Sequence, residues 1–272
     1  MGISIKDKII AHLTEFVKTD PRNRLLGHSD IKIYDPPLVG FASAHDPLFL
    51  RFKEPEVVDE EHLLPGECLE GAKTVISYFL PYTLEVRKSN REKGIASQEW
   101  MSGRIEGEVF NDAVRRFLVG DLQQQEARAI APTISPLFKF KRVGSNWSER
   151  HIAFVAGLGT FGLHKHLITE KGCAGRFGSV VTDMLLEPTL RKYNTPYEYC
   201  PWYEDNSCGA CIQRCPVEAI TEEGKDKNIC RNYLVKEIMP RFNQRYGCGK
   251  CSVAVPCEYR IPSRKNPGTI VD

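Results

Sequence analysis

An α+β protein carrying a separate metal-binding part is predicted by three observations. Apolar residues recur at helical spacing near the N-terminus and over residues 97–125. Two runs rich in β-branched residues stand at 74–80 and 178–186. Eight of the ten cysteines crowd into 58 residues, from Cys200 to Cys257. With 272 residues, 42% of them hydrophobic and 26% charged, the chain has ordinary globular usage and room for one or two domains.

Ile5, Ile9, Ile10, Leu13, Phe16 and Val17 fall on one helical face, and Thr19-Asp20-Pro21 stops that helix. Residues 31–66, rich in Pro, Asp and Glu, read as surface loops. The run Thr74-Val75-Ile76-Ser77-Tyr78-Phe79-Leu80, ended by Pro81, is a strand. Ile105, Val109, Phe110, Val114, Phe117 and Leu118 then predict one long or two short helices over 97–125, and 129–137 reads as extended. Asn146 and Glu149 have the spacing of a capping box, so a helix is expected to run from there to about Ala156 and to end at Gly157-Leu158-Gly159. A second strand covers 178–186. Composition changes at Glu187-Pro188, which divides the chain into 1–192, a cysteine-rich part at 193–262 and a tail at 263–272.

The opening Met1-Gly2-Ile3-Ser4-Ile5-Lys6 has no apolar signal core, and no apolar run is long enough to cross a bilayer; a cytoplasmic protein without a membrane partner is expected. In that compartment, ten cysteines point to metal or catalysis rather than to disulfides. The formal charge of +2 is no nucleic-acid-binding excess, and two clusters with their thiolates would take it to about −2.

Cubane clusters need four soft thiolates converging on one site. Cys208-Gly209-Ala210-Cys211-Ile212-Gln213-Arg214-Cys215-Pro216 supplies the last three cysteines and the proline of a ferredoxin-type run. Its missing first cysteine is replaced by Cys200 if residues 201–207 fold back. Cys230, Cys248, Cys251 and Cys257 form the second group. In ferredoxins the cysteine before the proline serves the other cluster, so Cys215 joins Cys230, Cys248 and Cys251, leaving Cys200, Cys208, Cys211 and Cys257 for a second [4Fe-4S] cluster. A pair of zinc sites is the competing reading, disfavoured because C-x3-C-P is no zinc spacing. Cys200 and Cys257 are both displaced from ferredoxin positions, which marks their cluster as the altered or labile one. Cys68 and Cys173 stand outside both groups.

Further motifs accompany this layout: Glu149-Arg150, Ala156-Gly157-Leu158-Gly159, Phe161-Gly162, Leu167-Ile168-Thr169, Gly178-Ser179, Thr182-Asp183 and Tyr246-Gly247-Cys248. Together, over roughly 60–262, the sequence resembles the epoxyqueuosine reductase family and, more distantly, the corrinoid-dependent reductive dehalogenases. The resemblance implies a nitroreductase-like α/β sandwich holding a corrinoid (cobalamin) in place of flavin, followed by a ferredoxin-like domain with two [4Fe-4S] clusters that reduces it. On that basis Ser145, Asn146, Trp147, Gly157, Gly159, Phe161, Gly162 and Ser179 are candidate cofactor-binding residues. His151 is the first candidate for catalysis, ahead of His164 and His166, and Arg150 with Asp183 is expected as a structural ion pair.

Three departures argue against epoxyqueuosine reduction: no carboxylate stands in 141–147, Val255-Pro256 replaces a Cys-Pro, and the sequence stops ten residues after Pro262. tRNA is accordingly not expected as a partner. The expected function is electron transfer through two clusters to a corrinoid, for an unidentified small-molecule substrate or for the corrinoid itself, with electrons from a ferredoxin- or flavodoxin-type donor. A ferredoxin-like carrier with no substrate of its own and a flavin-dependent reductase are the alternatives.

Overall fold

The fold is described from a computed structural model covering residues 4–141 and 144–263. Its centre is a four-stranded antiparallel sheet in the order Leu38–Ser43, Thr74–Pro81, Gly175–Thr182, Ala129–Ile130. Every residue of Thr74–Pro81 is buried, because both faces of the sheet are covered. Alternation along the strands then sorts the side chains. Ile76, Tyr78, Leu80 and Val180 pack with the helices Ile5–Thr19 and Gln98–Gln123 on one face, while Val75, Val181 and Phe79 meet the helix Glu149–Val155 on the other. Burial of each such large aliphatic side chain contributes about 1.5–3 kcal/mol.

The expected elements form, with local differences, the second strand among them: it runs Gly175–Thr182 and stops short of 183–186. The 97–125 pattern yields one helix, capped by the Ser97 hydroxyl on the Trp100 amide. The 31–66 segment is more ordered than its composition suggests: it supplies the edge strand Leu38–Ser43 and the short helices Leu48–Arg51 and Pro65–Cys68. Only Ala129–Ile130 of 129–137 is strand, and Pro132 opens a 3-10 turn. The expected capping box does not form. Ser148 is the N-cap, and the Asn146 amide instead bonds the Lys139 amide and the Leu137 carbonyl. Asp183 pairs with Arg128, not Arg150, whose guanidinium donates to the Lys165 carbonyl.

The cysteine-rich part contains the helix Ala210–Arg214, the hairpin Ile220–Thr221 with Gly224–Lys225, and the helix Lys227–Tyr233, which continues as a π-helical turn over Leu234–Ile238. It shares its core with the sandwich. Leu234, Ile238, Phe242 and Val253 pack in the cluster of Tyr82 and Trp100, and Ile220 and Val255 pack with Leu163 and Ile168. A fully buried carboxylate, Glu258, ties the two by accepting from Arg87 at 2.8 Å and Arg91 at 3.0 Å. Among the described residues no helix is long and apolar enough to cross a membrane.

Candidate redox centre

The eight cysteines gather around two cavities. Cys200, Cys208, Cys211 and Cys257 line a small apolar one, with Leu163, Trp202 and Val255 among its walls. Cys215, Cys230, Cys248 and Cys251 line one side of a cavity of about 630 Å³. Local backbone geometry produces both sets. Cys215 ends the helix Ala210–Arg214, and the turn beginning at Pro216 aims the Ala219 N–H back at its sulfur, 3.2 Å away. Gly249 holds φ +70° between Cys248 and Cys251, and a Cβ there would stand 2.0 Å from the Trp100 ring.

Burial pushes the Cys248 thiol up to about 11, and Cys200, Cys208, Cys211 and Cys251 also rise through burial. Cys257 rises through its Cys173 hydrogen bond and then burial. Burial thus favours the neutral thiols, and a cationic metal centre would supply the charge that makes them thiolates. The donor set is therefore suited to iron–sulfur clusters: soft, convergent and supplied with N–H donors to sulfur.

Opposite the cavity-side cysteines lies a charged wall. Arg104, Glu108 and Arg115 project from the helix Gln98–Gln123, Arg176 from the strand Gly175–Thr182, and Glu149 and Arg150 from the start of Glu149–Val155. Glu108 accepts from Arg115 at 2.9 Å and from Arg176, and lies 3.7 Å from Arg104. Burial opposes its charge, yet the guanidiniums of Arg176, Arg115 and Arg104 hold it down at about 2. Burial, then the charge of Arg176, brings Arg104 down to about 10. Glu149 accepts the hydroxyls of Thr133 and Ser179, each at 2.6 Å, and Arg115 at 3.3 Å. Glu108 and Glu149 are the carboxylates among the described lining residues.

Of the cofactor-binding candidates, Ser145 and Trp147 line this cavity, though Trp147 is only 1% exposed and stacks beside His62. Ser179 is one step removed, receiving the Trp147 indole N–H at 2.9 Å and passing its own hydrogen to Glu149. Asn146, Gly157, Gly159, Phe161 and Gly162 do not line it. A Cβ on Gly159 would lie 2.0 Å from the Ile168 carbonyl, and one on Gly162 2.7 Å from the His164 ring, so close packing in this chain accounts for both. Gly157 has the left-handed φ of +83° expected of a residue ending a helix.

His151 also stands off the cavity, bonded to the Ser148 hydroxyl at 2.7 Å and packed against Phe52 and Phe161. Burial and the charge of Arg150 bring it down to about 3. Arg104, Glu108 and Arg115 escaped the sequence reading, which followed the apolar positions of their helix. Charges at i, i+4 and i+11 trace a second face, and that was the available signal. Cys173, placed by the sequence outside both cysteine groups, is fully buried, with its sulfur 3.8 Å from that of Cys257.

No family model matches the chain. It is 25% identical over 210 residues to the epoxyqueuosine reductase of Leadbetterella byssophila, covering 72% of this chain and 62% of that protein. It is 26% identical over 209 residues to that of Vibrio cholerae, covering 71% of this chain and 52% of that protein. The chain thus spans part of the length of the curated relatives it matches. Among solved structures, the epoxyqueuosine reductase of Streptococcus thermophilus superposes with TM-score 0.55 at 18% identity, covering 99% of this chain and 69% of the other. A catabolic reductive dehalogenase superposes with TM-score 0.54 at 14% identity, covering 82% of this chain and 30% of the other.

One expectation is corrected by these relatives. tRNA cannot be set aside as a partner, because the matched proteins are epoxyqueuosine reductases and one structure of this fold, with TM-score 0.55 at 18% identity, holds an epoxyqueuosine-modified tRNA-Tyr stem loop. Overall charge and the point where the sequence stops do not describe a local binding surface. In sequence and in fold, the chain is similar to the epoxyqueuosine reductases.

Proposed function

We propose that this chain is an iron–sulfur oxidoreductase that passes electrons through two [4Fe-4S] clusters to a corrinoid in the cavity of about 630 Å³. One observation carries the reading: Cys215, Cys230, Cys248 and Cys251 form part of the wall of that cavity, so a cluster held by them would face a cofactor bound there. The other cluster, on Cys200, Cys208, Cys211 and Cys257, is the inner partner.

The cavity has the size of a small-molecule site, which is about 300–1,000 Å³. A reductive dehalogenase structure of the same fold, with TM-score 0.51, is described as B12-dependent. When bound, a corrinoid supplies a strongly reducing cobalt centre, and the protein supplies position and electrostatics. Ser145, Trp147, Arg104, Arg150 and Arg176 would hold its periphery, guanidiniums suiting amide oxygens and phosphate. The same positive charge favours the reduced, more negative state of the centres it faces. Glu108, kept ionised by three arginines, holds them in place and is no proton donor at neutral pH.

Anaerobic purification with iron and sulfide counting, followed by titration with cob(II)alamin under EPR, tests this. About eight irons per chain and a changed cobalt signal are expected. An unchanged cobalt signal removes the corrinoid, and about four irons removes one cluster. An epoxyqueuosine-bearing tRNA stem loop is the first substrate to assay.

A further inference from the structure

His164 and His166 stand between the two cysteine sites with ring centroids 5.0 Å apart. His164 is 1% exposed, and its Nε2 lies 3.2 Å from the Cys257 sulfur. Its other nitrogen settles what that contact is. The backbone N–H of His166 donates to His164 Nδ1 at 3.0 Å, and a backbone amide can only donate. Nδ1 is therefore the acceptor, and the ring hydrogen sits on Nε2, aimed at the sulfur. His166 Nε2 lies 3.8 Å from Cys251 of the cavity-side site, a longer contact.

We propose that His164 is a positioning residue of the inner site, donating an Nε2–H···S hydrogen bond to Cys257 that raises the reduction potential of the cluster held there. Hydrogen bonds to ligand sulfurs stabilise the added negative charge of the reduced cluster, so they move its potential upward. The bond is built into the chain: the His-Lys-His segment turns so that its own backbone fixes the tautomer, and the Nε2–H faces Cys257 at 3.2 Å more closely than the Cys173 sulfur at 3.7 Å.

This inference rests on the two-cluster reading, and one experiment separates them. The anaerobically loaded wild-type protein, H164L and H164Q are compared by iron content and by EPR-monitored redox titration of both clusters. H164L is expected to keep about eight irons and to lower one midpoint potential while the other stays in place. H164Q, whose amide N–H reaches toward the same sulfur, is expected to recover part of the shift.

A wild-type protein that takes up no iron removes the two-cluster reading and this inference with it. Wild-type loading with unshifted midpoints in H164L removes this inference alone. His164, Cys173 and Cys257 offer ligand atoms within 4.8 Å of one another, so direct ligation is the competing arrangement. A ¹⁴N hyperfine coupling on the wild-type cluster, a fall to about four irons in both variants, or one tightly held zinc per chain would each make His164 a ligand and overturn the proposal.

Discussion

The two cysteine sites use the same ligand and opposite surroundings. The Cys200 site is walled by Leu163, Ile168, Trp202 and Val255, and its polar lining side chain is the imidazole of His164. The Cys215 site opens on a cavity lined by Arg104, Arg150, Arg176, Lys225 and Glu108. Low polarity around a charged centre raises the weight of each hydrogen bond, whereas an open charged wall spreads the stabilisation over several cations. The difference teaches that the displaced cysteines are the sheltered ones. Cys200 and Cys257 depart from ferredoxin spacing, yet they lie at the dry end of the centre, where solvent reaches least.

The largest test of this contrast is ligand removal. Cys215→Ala is expected to abolish the cavity-side cluster and spare the one built on its immediate neighbours Cys208 and Cys211, whereas Cys257→Ala does the reverse. Iron counts falling to about four in each, with different residual EPR signals, check it; identical residual signals would break the crossed assignment.

Next in size is the clamp between the cysteine-rich part and the sandwich. Glu258→Gln leaves Arg87 and Arg91 without their buried counter-charge and is expected to destabilise the protein by about 3–5 kcal/mol in urea unfolding. A smaller loss confined to the cysteine-rich part would show the two to be less coupled than their shared core implies.

Acid should act on the sandwich before its carboxylates titrate. Burial brings His62 down from 6.5 to about 4, and His151 falls to about 3. The unfolded chain binds protons at these rings near 6.5 while the folded chain does not, so stability is full above that pH and falls as pH drops toward 3. Thermal melting against pH reads this directly, and a flat profile between pH 6.5 and 4 contradicts it.

The smallest expected effect is at the cavity edge. Trp147→Phe removes the indole N–H to Ser179 and with it about 1 kcal/mol, measurable by chemical denaturation, while the Ser179 hydroxyl keeps Glu149.

Much of this was legible from residue order. Candidate cysteine ligands are tied by short spacings, so Cys208, Cys211 and Cys215 stand out as a group, and the all-buried strand Thr74–Pro81 reads from its β-branched run. The glycine-rich stretch from Gly157 to Gly162 was ambiguous in kind, since helix termination, close packing and ligand approach all demand the same residue; Ile168 and His164 lie where a ligand was expected. The arginines were hidden for another reason. A charged residue on a helix is most often solvated, and nothing local distinguishes Arg115, which is 1% exposed, from Arg116 beside it.

By itself, then, the sequence determined the chemistry on offer: thiols in number and spacing, strands, helices, and the likeness to a family of reductases. Only the tertiary structure decided which residues share a cavity, that His164 faces Cys257 while His151 faces Phe52, and that Glu108 is held by three guanidiniums. Ligand spacing is a local property of the chain, whereas the environment of a buried charge is made by elements far apart in sequence. Arg176 and Glu108, 68 residues apart, meet only after the helix has docked on the sheet.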